Sequence, residues 1–86
     1  MTAVQFRVNE VFDIAARGGL VVVGSTHNGE FVGLPRLRDE DSGQPVRVLG
    51  VDHPTPRTRR TGETILIVDR ADAAYTQPGR LWTAQD

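Results

Sequence analysis

The 86-residue sequence contains no cysteine and no lysine. The first absence excludes disulfides, thiolate nucleophiles and every zinc site built on sulfur, and it leaves no redox argument about compartment. The second excludes Schiff-base catalysis and a phosphate loop of the GxxxxGK[ST] type, because both need an amine. Aromatic residues are scarce at 6%, and net charge is close to absent: ten arginines against eleven carboxylates leave a formal −1. No global field therefore draws the chain to nucleic acid or to an anionic membrane, so any such contact has to come from a local patch. No apolar run approaches the length that spans a bilayer. The opening Met1-Thr2-Ala3-Val4-Gln5-Phe6-Arg7 lacks a charged leader followed by an apolar stretch, and a cytoplasmic location is expected.

A chain of this length holds one hydrophobic core, which predicts a single domain over residues 1–86. Hydrophobic residues at 38% and charged residues at 24% suit a globular chain, and nine glycines with five prolines mark frequent turns. Phe6, Val8, Phe12 and Ile14 share one parity, interrupted by Glu10, as in a long first strand with one buried face. Gly18-Gly19 allows a hairpin turn into the β-branched run Leu20-Val21-Val22-Val23. That second strand runs to His27, where Asn28-Gly29 is the strongest hairpin signal, and 31–37 begins a third strand that Pro35 confines to an edge or bulge.

Residues 46–52 read as a fourth strand, the twice proline-broken 53–62 as the main exposed loop, Ile65-Leu66-Ile67-Val68 as a central strand, and Leu81-Trp82-Thr83-Ala84 as the last. A short helical turn fits near 70–76. Six short strands with regular turn signals predict an all-β fold, a closed six-stranded antiparallel barrel of Greek-key type over about residues 4–84.

Candidate chemistry is sparse. Arg57, Arg59 and Arg60 form a basic cluster suited to phosphate contacts or to simple solvation. Asp39, Glu40 and Asp41 make an acidic turn without the spacing of a calcium loop. Ser25 and His27 share a strand face, yet no third orienting group or oxyanion hole accompanies them. His53 stands alone, so no metal site and no cofactor are expected. Trp82 suits packing over one open end of the barrel or anchoring a partner. Arg17 sits in a turn beside glycines that let a ligand approach the backbone.

Phe6-x-Val8-x-Glu10-Val11-Phe12-x-Ile14, Arg17-Gly18, Val21 to Gly24, Gly29, Gly33, Val51-Asp52, Gly62 and Gly79-x-Leu81 together resemble the β-barrel second domain of translational GTPases such as elongation factor Tu. The turn reads Ala16-Arg17-Gly18 where that family has Gly-Arg-Gly, and no G-domain phosphate loop is present, so GTP hydrolysis is excluded. No acid/base pair, nucleophile or cofactor loop can be named, so no enzymatic role is expected. The resemblance implies a stand-alone translation-protein barrel with RNA or a translation-related protein as partner. It further implies a shallow pocket for the end of a tRNA, lined by Ile14, Leu20, Asp52 and Val68 beside Arg17, with Asp52 replacing the family's longer glutamate. The competing expectation is a protein-interaction or assembly domain without an RNA role, including a homodimer, which the near-neutral charge and the lack of stacking aromatics favour.

Overall fold

A computed structural model of the chain describes residues 3–85. Its strands are β1 (Gln5–Ile14), β2 (Gly19–His27), β3 (Leu37–Asp39), β4 (Pro45–Val46), β5 (Val48–Val51), β6 (Thr64–Val68) and β7 (Leu81–Ala84). Short 3-10 helices cover Ala15–Arg17 and Arg70–Tyr75, and α1 covers Pro56–Thr61. β1 and β2 form the expected hairpin, with Ile14 opposite Gly19. Its turn closes at Gly18, whose φ of +74° suits a residue without a side chain.

The first strand departs from strict alternation. Val8 pairs with Gly24 and Glu10 with Val23, so Asn9 is an extra residue in β1. A bulge of this kind reverses the face taken by every later side chain. Phe6 and Val8 are buried inside, whereas Phe12 and Ile14 emerge on the opposite face at 43% and 44% exposure, and Val11 takes their inward place. The Asn9 amide holds the bulge by donating to Ser25 Oγ and to Glu63 Oε2, both at 2.9 Å.

The chain only bends at Asn28-Gly29, with both residues at positive φ, and the expected hairpin strand does not follow. Pro35 has no N–H to give a ladder and Gly33 bends the chain at φ +72°, so only Leu37–Asp39 pairs, with β4 on one side and β7 on the other.

The antiparallel sheet has seven strands in the order β4-β3-β7-β1-β2-β6-β5 and is not closed. The run expected as one fourth strand divides at Arg47: β4 pairs with β3, and β5 pairs with β6. At Arg47 the run leaves both ladders: its N–H donates to the Asp72 carboxylate at 2.8 Å and its carbonyl accepts from the Asp69 N–H at 2.9 Å. Laid flat, such a sheet would hold its edges roughly 29 Å apart. One intervening residue between the edge strands therefore requires the sheet to curl.

The concave side encloses one core, to which every strand contributes: Phe6, Val22, Leu37, Val46, Val48, Leu66 and Trp82 are all buried. Trp82, expected over an open end, lies within this core at 0% exposure. It pairs opposite Phe6 and stacks on it at 5.7 Å between centroids, and its Nε1 donates to the Tyr75 carbonyl at 3.1 Å. That satisfies the one polar atom the ring brings into the core. No helix among the described residues is long and apolar enough to cross a membrane.

Candidate binding recess on the outer sheet face

β2 and β6 are apolar on both parities, so the sheet has a second apolar face outside the core. Val21, Val23, Ile65 and Ile67 cluster there. Val21 stands opposite Phe12 on one side and Ile67 on the other, and Val23 stands opposite Glu10 and Ile65. Phe12 and Ile14 join this face only because the Asn9 bulge turns them outward.

Helix α1 crosses the rim of this face, in the segment expected as an exposed loop. Thr55 accepts from the Thr58 N–H at 3.2 Å while the Thr58 hydroxyl accepts from the Thr55 N–H at 2.8 Å, a reciprocal cap, with Pro56 preset for the first helical position. Gly62 ends the helix in a left-handed conformation. Thr58 is buried against the sheet, and Arg57 reaches Glu10 with Nη2 at 2.6 Å from Oε1. On the other side Arg17 reaches Asp52 with Nη1 at 3.1 Å from Oδ2, and the second Asp52 oxygen accepts from the His53 N–H at 2.8 Å.

Between the two ion pairs lies a recess of about 220 Å3, floored by Val21, Val23 and Ile65 and flanked by Phe12 and Ile14. Small-molecule pockets usually occupy about 300–1,000 Å3, so this one fits a single ring system or one side chain and not a whole cofactor. Arg17 and Arg57 are 54% and 63% exposed, and each keeps N–H donors free of its carboxylate. Ion pairs at such exposure contribute only about 0–1 kcal/mol, so a ligand can reorganise them at little cost. Outside the recess lining, Glu63 is held below the usual carboxylate pKa by the Asn9 amide first and then by the Thr61 hydroxyl, with burial opposing and the Arg57 charge adding the smallest lowering effect.

Of the residues implied by the family resemblance, Ile14, Arg17 and Asp52 meet at this recess. Leu20 and Val68 do not: both are buried in the core on the other side of the sheet, because they alternate with Val21 and Ile67. Arg57 borders the recess, while Arg59 and Arg60 are exposed on the last turn of α1 and make no ion pair among the described residues. Phe12, Val21, Val23 and Ile65 are missing from the sequence-based set. Their signal was the two-sided apolarity of 20–23 and 65–68, which marks a second face as well as a central position.

Ser25 and the acidic turn serve the fold. Ser25 Oγ accepts from Asn9 and has no hydrogen bond to His27 among the described residues. Asp39 is fully buried, and its Oδ2 accepts from the Ser42 N–H, the Ser42 hydroxyl and Arg80, so the acidic turn is a fastening of its own loop. No group of three metal-ligating side chains occurs among the described residues. No protein-family model, curated protein or solved structure matches the chain.

Proposed function

We propose that the chain is a non-catalytic binding module of the translation-factor barrel type, and that it holds one unpaired base of an RNA, at a tRNA end or in ribosomal RNA, in the outer recess. Phe12 carries this reading. The sequence places no aromatic residue near its arginine cluster, yet the bulge brings Phe12 to the wall of a ring-sized recess bordered by Arg17 and Arg57. A base stacked on an aromatic ring contributes about 1–3 kcal/mol, and free guanidinium N–H groups suit the adjoining phosphates. The curled sheet and the meeting of Ile14, Arg17 and Asp52 support the same reading.

Fluorescence anisotropy with a short unpaired RNA tests it. Binding is expected to weaken about tenfold or more in Phe12→Ala, the loss of one stacking contact. Equal affinity of Phe12→Ala and the parent protein would contradict the proposal.

A second reading, a protein-interaction or self-assembling domain, is favoured by one observation. The loop between β2 and β3 exposes Val32 at 98% and Leu34 at 58%, and paired exposed apolar residues are common at protein contacts. Light scattering that returns a concentration-independent monomer mass would contradict self-assembly.

A further inference from the structure

Six arginines form no ion pair among the described residues: Arg7, Arg36, Arg38, Arg47, Arg59 and Arg60. Arg36, Arg38 and Arg47 line one broad, shallow cavity of about 940 Å3 beside the open seam of the sheet. The strand register explains the convergence. Leu37 pairs with Val46 and both point into the core, so the residues alternating with them, Arg36, Arg38 and Arg47, belong to the outer side. Arg36 and Arg47 flank the Leu37–Val46 pair, at which the β3–β4 ladder ends.

Guanidinium groups gathered on one surface repel one another unless anions offset them. The fold offsets this repulsion only in part. Asp69 and Asp72 border the same cavity; the Asp72 carboxylate accepts from the Arg47 backbone N–H at 2.8 Å and the Asp69 carboxylate from the Ala71 N–H at 2.9 Å, and neither forms an ion pair with the three arginines among the described residues. Arg38 gives one nitrogen to the Gly43 carbonyl at 3.1 Å, and the Arg36 and Arg47 guanidiniums donate to no group among the described residues.

We propose that Arg36, Arg38 and Arg47 form a binding surface for the phosphodiester backbone of a single-stranded nucleic acid. This rests on the RNA reading of the recess but uses a different face of the molecule. Two residues of strand separate Arg36 from Arg38 by about 6.7 Å, a spacing that engages successive charges on an extended chain better than one compact anion. The cavity is open and shallow, as a backbone track is and an enclosed metabolite pocket is not. Guanidinium forks pair with phosphate oxygens in a bidentate manner.

The test uses a fluorescein-labelled abasic oligodeoxynucleotide, which presents backbone without bases, titrated over a range of salt. Neutralising three phosphates of a single strand changes the log–log salt slope by about two. The triple variant Arg36→Gln, Arg38→Gln, Arg47→Gln is expected to lose that much slope and at least about tenfold in affinity at low salt. The corresponding lysine triple, which keeps the charges, is expected to retain the slope.

Near-ultraviolet circular dichroism of the buried Trp82 verifies that each variant is folded. Unaltered binding by the glutamine triple, no binding of the abasic strand by the parent protein, or equal competition by polyglutamate would overturn the proposal. The recess is scored separately by Phe12→Ala, which should weaken only a strand that carries bases. If base-bearing and abasic strands bind alike and the glutamine triple loses both, the backbone surface stands and the recess reading falls.

Discussion

Phe6 lies over Gly24, and a Cβ at that position would collide with the Phe6 ring and the Arg7 carbonyl oxygen. The same ring stacks on Trp82 and approaches Phe31, with centroids 6.0 Å apart, so it has nowhere to retreat. Gly24→Ala is therefore expected to cost about 2–3 kcal/mol, read as a lower denaturant midpoint with an unchanged slope. Glu63 carries a pH signature. Its folded pKa lies below the ordinary value of 4.5 through its bonds to Asn9 and Thr61 and the Arg57 charge. The carboxylate thus contributes stability that is present above that value and is lost as pH falls through the lower folded pKa. Between about pH 6 and pH 3, thermal melting of Glu63→Gln should depend less on pH than that of the parent protein. Parallel curves would show that the bond to Asn9 does not matter.

At the level of elements, two local devices build the recess, and each was legible to a different degree. The Asn9 bulge inverts the faces of Phe12 and Ile14, yet nothing in Phe6-x-Val8-x-Glu10-x-Phe12 marks where a residue is extra. The bulge is specified by partners distant in sequence, Ser25 and Glu63, so alternation alone placed the two side chains on the wrong face. Helix α1 was readable: Thr55-Pro56-Arg57-Thr58 followed by Gly62 carries a cap, a proline at the first position and a glycine stop, although two prolines suggested a loop. Thr55→Ala should destabilise the protein by about 1 kcal/mol through loss of this cap. It should also weaken RNA binding, because α1 carries Arg57 to the rim. A variant equally stable and equally active would sever the helix from the site.

For the molecule as a whole, the hydrophobic pattern carried the architecture well, with β1, β2, β6, β7 and the 3-10 helix after β6 near their expected places. The strand count was harder to read. Val46 to Asp52 looks continuous, but Arg47 gives its N–H to Asp72 and the run changes neighbours there, a decision made by tertiary contacts. The same limit applies to the site. The family resemblance placed Ile14, Arg17 and Asp52 at one location and assigned Leu20 and Val68 with them, which the sheet's alternation turns into the core. The outer face around Phe12 is the surface on which the binding proposal rests. Its most direct measurement is an amide chemical-shift titration of the labelled protein with a short unpaired RNA. Saturable shifts concentrated at Phe12, Ile14, Arg17, Val21 and Ile65 are expected. Shifts absent from these residues while RNA binds elsewhere, or no shifts at millimolar RNA, would contradict it.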